Sequence, residues 1–424
     1  MRMRKHRMAR MLAALASATI ASTAVVAAGG VAQGATFAPG VTAKTIKIGY
    51  ITSVTGVASS TFADGEQGVL AAVDAQNAKG GVDGRKIEVV SADDQSSPAQ
   101  FLTAAQDLVL NKNVFAVIPF SSFTFGGVRY FQQQGIPVVG NAFDGYEWYD
   151  QPYSNMFNDA FSVSAEQNNT FYTYTLLGKM LKAMGVTKLG VLAYGISPSS
   201  QASVKAAEAA AKKVGISVCY ENLSVPFGGV DFTSDVLQIK AAGCNGVIGS
   251  FVDASDIALA TALKQAGFTG RQLYYTGYDQ NVLSSPSAVA ALDGDYILSQ
   301  EYLTPSNPAV ATMFANLRKY ARGYKGGLPD FGLLGSYLAT ETMIKGLQAA
   351  GKNPTRASFI KNFRTVSNFN PGDLLSSPTS FTNFGTPKMF PPTMCYYLLQ
   401  MKNGQFTPAA GAPGGKFCGT KLTF

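Results

Sequence analysis

The feature that most constrains this chain is an alternation of short β-branched runs with longer amphipathic segments, which begins at residue 45 and restarts at residue 188. In the first series, residues 45–51 read as a buried strand, with Ile46, Ile48 and Ile51 around Gly49. Residues 65–78 read as an amphipathic helix stopped by Gly80 and Gly81. Strands are expected at 86–91, 114–119 and 136–139, with helices at 98–111 and 126–134 between them. In the second series, strands at 188–193, 217–223, 246–251 and 272–276 alternate with helices at 200–214, 232–242 and 255–267. Parallel neighbours need a crossover of this length, so the pattern predicts two tandem α/β units built from parallel βαβ elements. A strand at 295–300 and helices at 308–323 and 332–350 follow. The tail, 365–424, is rich in Pro, Gly and Phe and is expected to be irregular apart from a strand-like run at 395–401. Ligands in open α/β sheets bind beyond the carboxyl ends of strands, which makes the loops after the strands the candidate site.

The first 34 residues stand outside this pattern. Arg2, Arg4, Lys5, Arg7 and Arg10 precede an apolar, Ala-rich stretch that ends at Ala32, Gln33 and Gly34. That layout predicts a secretory signal peptide cleaved near Gly34 and a secreted or periplasmic protein. The alternative is a retained anchor, although the run barely reaches spanning length. No Cys lies near the cleavage point, so no lipid anchor is expected, nor any membrane insertion after cleavage. The whole chain has 34 basic and 26 acidic residues; loss of the five in the signal leaves 29 basic residues, close to balance. No Lys/Arg cluster remains to suggest nucleic acid or an anionic membrane surface as partner.

The one histidine is His6, inside that signal. A mature chain without histidine has no Ser-His-Asp or Cys-His system and no His-ligated metal site. No catalytic residue, metal or cofactor is therefore expected, and an enzyme would depend on carboxylates, Lys or Tyr alone. The four cysteines, Cys219, Cys244, Cys395 and Cys418, suit disulfides in an exported chain. Three pairings are possible; the two local ones, Cys219–Cys244 and Cys395–Cys418, are preferred because they close short loops. About 390 mature residues are enough for two domains.

Residues 46–56 and 68–74, the element Asn77-x-x-Gly80-Gly81-x-x-Gly84-Arg85, and Asp93, Asp94 and Pro98 resemble the leucine/isoleucine/valine-binding protein family. These are type I solute-binding proteins of ABC importers. The resemblance weakens towards residue 350 and does not extend well into the tail. It implies a type I periplasmic-binding-protein fold: two lobes, each a mostly parallel sheet flanked by helices, joined by a three-stranded hinge. The crossovers would lie near 157–162, 299–304 and 387–392. Lobe one would be 44–158 plus 301–388, and lobe two 159–300 plus 389–424. It further implies a monomer that captures a small organic solute (amino acid, amide or aromatic compound) and delivers it to an importer permease. A ligand-sensing protein is the alternative, and a secreted hydrolase using Asp93, Asp94, Asp144, Asp253 or Asp279 is a further one.

Matched by position, the loop with Ser121 and Ser122 would hold a ligand carboxylate, unless it only caps the next helix. Asn141, Ala142, Phe143 and Asp144 would form the adjacent contact; Phe143 and Asp144 depart from the pattern of amino-acid binders. Tyr194, Phe251, Asp253 and Tyr278 would line the opposite side. Asp279 would either pair with a ligand ammonium or cap a helix. Phe62, beside Thr61, would face the cleft from the first loop. Tyr146, Trp148 and Tyr149 either line the cleft or pack their own loop.

Overall fold

The computed structural model describes residues 37–142 and 145–424; the expected signal segment, 1–34, lies outside them, as do Phe143 and Asp144. Five strands form a first sheet: β1 (Thr45–Thr52), β2 (Lys86–Asp93), β3 (Ala116–Pro119), β4 (Val138–Gly140) and β5 (Met156–Asn158). They pair in the order β2-β1-β3-β4-β5, and every pair is parallel. Helices α1 (Ser59–Phe62), α2 (Gly65–Ala78), α3 (Pro98–Gln106) and α4 (Val128–Gln133) make the crossovers. All four residues of β3 are buried, as befits a parallel strand covered on both faces.

The chain then builds most of a second sheet. Its strands are β6 (Ala165–Gln167), β7 (Thr170–Tyr174), β8 (Lys188–Tyr194), β9 (Ser217–Val225), β10 (Gly246–Ser250), β11 (Arg271–Tyr274) and β12 (Tyr296–Ser299). Helices α5 (Leu176–Ala183), α6 (Pro198–Lys213), α7 (Thr233–Ala241), α8 (Asp253–Gln265), α9 (Gln280–Ser284) and α10 (Pro286–Leu292) connect them. Strands β9-β8-β10-β11-β12 are parallel, as the alternation predicts. Next, α11 (Pro308–Tyr320), α12 (Phe331–Ala350) and α13 (Arg356–Phe363) return to the first sheet, where α11 and α12 pack on α2. The last strands, β13 (Thr393–Lys402), β14 (Gln405–Pro408) and β15 (Lys416–Thr423), join the second sheet. There β13 pairs antiparallel with β12, and β15 lies antiparallel between β13 and β7.

The tail therefore differs from its expected irregularity. Its second half supplies three strands: β13 is the run expected at 395–401, while β14 and β15 go beyond that expectation and appear because β13 extends an existing sheet edge. Local signal in 416–423 is weak, since Gly and Lys interrupt it. Residues 365–392 do lack strands, yet they are anchored. Phe381 packs 4.2 Å from Phe363, and Phe390 stacks 4.3 Å from Tyr172. The expected helix at 98–111 also changes character: residues Asp107–Asn111 form a π-helical turn, which keeps Leu108 and Val109 inward while Leu110 faces solvent.

The Asn-Gly-Gly-Gly-Arg element has a structural explanation. Asn77 brackets Ile87 by donating to its carbonyl and accepting from its N–H, at 2.9 and 2.8 Å. A Cβ on Gly81 would lie 1.9 Å from the Arg85 carbonyl oxygen, so only glycine fits there. Arg85 donates to the carbonyls of Thr42 and Lys352, tying the segment before β1 to the turn after α12. Gly68 likewise lets α2 press on α12, since a Cβ there would meet the Leu333 carbonyl at 2.0 Å. Two disulfides close local loops: Cys219–Cys244 joins β9 to the start of β10, and Cys395–Cys418 links facing residues of β13 and β15.

Candidate functional site

The carboxyl ends of the parallel strands in both sheets converge on one cavity of about 180 Å³. From the first sheet come Thr61 and Phe62 after β1, Phe120 and Ser122 after β3, and Asn141 after β4. The N-terminal half of α12 adds Phe331, Leu334, Gly335 and Leu338, a helical face of spacing three and four. From the second sheet come Tyr194 at the end of β8, Phe251 after β10, Tyr275 to Tyr278 after β11, and Ser299 to Glu301 after β12. Serines at the start of α6 complete that side; Ser197 caps this helix by accepting from the Ser200 N–H.

Aromatic rings dominate the wall. Tyr194 packs between Phe227 and Phe251, with centroids 4.4 and 4.7 Å away. Its hydroxyl donates to Ser255 Oγ at 2.7 Å and accepts from the Val252 N–H at 3.2 Å, which fixes the ring. Phe62, Phe120 and Phe331 form a second group, with centroids 5.6 to 6.1 Å apart. Rigid rings of this kind give large apolar contact at low ordering cost.

The charge distribution is one-sided. Among the described residues of the wall there is no Lys, Arg or His, and Glu301 is its one carboxylic acid. Burial pushes the Glu301 carboxyl up to about 7, although a hydrogen bond from Ser299 Oγ favours the ionised form. Just behind the wall, burial and then the nearby Glu301 push Asp159 up to about 8. No group of three or more His, Cys, Asp or Glu among the described residues is placed to hold a metal ion.

Contacts between loops of the two sheets edge the cavity. The Asp253 N–H donates to Thr61 Oγ1 at 3.0 Å, and the Gln280 N–H donates to the Leu328 carbonyl at 3.0 Å. Phe123 and Phe227 meet at 4.8 Å.

Of the residues expected at the site, Phe62, Ser122, Asn141, Tyr194, Phe251 and Tyr278 are on this wall. Ser121, Ala142, Asp253 and Asp279 stand behind it. Ser121 is fully buried, with its hydroxyl donating to Asp94 and accepting from the Phe123 N–H at 3.0 Å, so it organises the loop. Ala142 is buried off the wall. Asp279 caps α9 by accepting from the Val282 N–H at 2.8 Å. The Asp253 side chain is buried, and burial together with Asp279 pushes it up to about 7. Trp148 and Tyr149 are buried and pack their own region, Tyr149 lying 5.1 Å from Phe390. Asp93 and Asp94 accept hydrogen bonds from Thr55, Ser53, Ser96 and Ser121, and so fix the first two loops. Sequence reasoning missed Phe120, Phe227, Phe331, Tyr275 and Glu301. The face of α12 carried a legible signal in its spacing; Glu301 carried only that of an acid within an expected crossover.

Comparison with known proteins agrees with this geometry. The family described as periplasmic binding protein matches residues 45–405. The Leu/Ile/Val-binding protein homolog 1 of Brucella abortus is 25% identical over 354 residues, which span 81% of this chain and 88% of that protein. Two solved structures share the fold. A fatty acid ABC transporter substrate-binding protein from Thermomonospora curvata superposes with a TM-score of 0.70 at 20% identity, covering 91% of this chain and 94% of that one. A solute-binding protein of an R. palustris ABC transporter in complex with benzoate gives 0.67 at 17% identity, covering 87% and 98%.

Proposed function

Because this chain belongs to the periplasmic binding protein family, we propose that it captures a small organic solute in the cavity between its two sheets, outside the cytoplasm, and hands it to an ABC importer without changing it chemically. The observation that carries this reading is the convergence of strand ends from both sheets on one aromatic cavity. Two bodies would close on the ligand: residues 44–158 with 301–388, and 159–300 with 389–424. In favour of that division, the chain passes between the sheets after β5, after β12 and before β13. Phe62, Ser122, Asn141, Tyr194, Phe251 and Tyr278 would contact the solute directly. A signal cleaved near Gly34 would release a monomer. Among the described residues no helix is long and apolar enough to cross a membrane. The hydrolase alternative is weakened because Asp93 and Asp94 are committed to loop hydrogen bonds.

The relatives named above are described with chemically different solutes: one serves a fatty acid ABC transporter, one is in complex with benzoate, and one is a Leu/Ile/Val-binding protein homolog. The test is a thermal-shift screen of ligand-free protein against amino acids, amides, aromatic acids, fatty acids and amines, with the mixtures analysed afterwards for turnover. A ligand at 100 times its dissociation constant adds about 2.7 kcal/mol of stability. Stabilisation with the ligand recovered intact is expected. Recovery of a converted product would overturn the binding reading.

A further inference from the structure

Resting on that solute-binding reading, we propose that the cavity selects an organic ammonium, a protonated amine with an aromatic or branched apolar body, and that Glu301 is the residue that recognises it. The wall's composition is the first argument. Among the described residues the wall offers no Lys, Arg or His, so the one full charge its side chains can present is the negative charge of Glu301, and a buried charge is best met by an opposite one. Serine hydroxyls and the Asn141 amide could hold an anion elsewhere on the wall, but a carboxylate beside Glu301 would meet a like charge.

The second argument is the position of the acids. Glu301 is half-buried and lines the cavity. Its Oε2 accepts from Ser299 Oγ at 3.2 Å. Asp159 is fully buried beside it, and neither of its oxygens has a well-aligned donor. Tyr278 and Tyr396, also on the wall, feel the Glu301 charge, and Tyr275 lines the same end with its hydroxyl unpartnered. This end of the cavity therefore presents carboxyl and phenol groups with no cation among them. An ammonium supplies both missing components, a positive charge and several N–H donors.

The third argument is the surrounding rings. The negative faces of aromatic rings attract cations, more strongly when water is excluded. The Tyr194, Phe227 and Phe251 group and the Phe62, Phe120 and Phe331 group both border the cavity. They would enclose the body of an amine such as phenethylamine. Asp279, the acid expected from sequence to meet an ammonium, is already capping α9.

The experiment measures binding of phenethylamine, 3-methylbutylamine, phenylacetate and benzyl alcohol by calorimetry to the whole protein and to Glu301→Gln. At least one amine is expected to bind tenfold or more tightly than phenylacetate, and Glu301→Gln is expected to remove that preference while keeping the fold. The unmodified protein gives an independent reading through pH. With the Glu301 carboxyl near 7, the fraction ionised rises about tenfold from pH 6 to pH 8, and amine affinity should rise with it. Tighter binding of phenylacetate or benzyl alcohol, an amine preference that survives Glu301→Gln, or amine affinity flat with pH would each overturn the amine class while leaving solute binding intact. Silence from all four ligands and from the wider screen would overturn both.

Discussion

Asp159 gives a sharp test of how this interior handles charge. It follows β5 directly, is fully buried, and has no well-aligned hydrogen-bond donor at either oxygen. Burial, and next the neighbouring Glu301, raise its carboxyl from 3.8 to about 8. In the folded protein it therefore keeps its proton at neutral pH, whereas in the unfolded chain it ionises. The sign follows. A raised carboxyl contributes stability that is complete below pH 3.8 and is lost as pH climbs to about 8. Each pH unit inside that window costs about 1.4 kcal/mol. From about pH 4 to about pH 7 the loss approaches ~4 kcal/mol, and relaxation around a buried charge brings the expected value nearer ~2.

Asp159→Asn keeps the shape and removes the titration. The variant's stability relative to the parent should therefore grow by about 2–4 kcal/mol between those two pH values. Unfolding entropy of about 2.1 cal/mol/K per residue gives a chain of this size roughly 0.8 kcal/mol/K, so the difference in Tm should widen by about 2–5 °C. Thermal unfolding of both proteins at matched ionic strength reads this directly. Any cost of the new amide's unsatisfied N–H is the same at every pH and drops out of the comparison. A difference in Tm that stays flat over this range, or that narrows as pH rises, would refute the reasoning.

Three other perturbations probe the same framework. Thr61→Val removes the acceptor for the Asp253 N–H and should weaken ligand binding about five- to thirtyfold, the cost of about 1–2 kcal/mol at a contact between the two sheets; unchanged affinity by calorimetry would show that this contact does not support closure. Replacing Cys395 and Cys418 together with Ala opens a loop of sequence separation 23 and should lower unfolding stability by about 3 kcal/mol, read as denaturation midpoint. Gly68→Ala would force α2 away from the Leu333 carbonyl and should cost about 1–3 kcal/mol, with a wild-type midpoint disproving the close approach.

What could be read from sequence follows from how local each signal is. The parallel strands β1 to β3 and β8 to β11 were legible because each is an apolar run answered by an amphipathic helix within one crossover. The hairpin β6–β7 was not, because its strands are short and Gln, Asn and Thr interrupt their apolar residues, and β15 was not, because it sits between β13 and β7 and nothing near Lys416–Thr423 announces that Tyr174 is its neighbour. The same logic divides the site. Tyr194, Phe251 and Tyr278, expected by position in the family resemblance, lie on the wall because they sit at or just after strands that the sequence makes recognisable. Phe331, Leu334, Gly335 and Leu338 share a helical face that their spacing makes legible, but that this face meets the cavity depends on packing between segments more than 250 residues apart, where Gly68 lets α2 press on α12. Glu301 illustrates the point most fully. As a residue type it resembles any surface acid; its raised carboxyl comes from burial, opposed by the hydrogen bond from Ser299, and it in turn acts on Asp159 and Tyr396, which two other passes of the chain bring beside it. A carboxyl assembled in that way is tuned by the relative placement of the two sheets. Ligand affinity and sheet placement should therefore respond together to pH, and measuring both on one sample would separate a site tuned by its fold from one tuned by its loops alone.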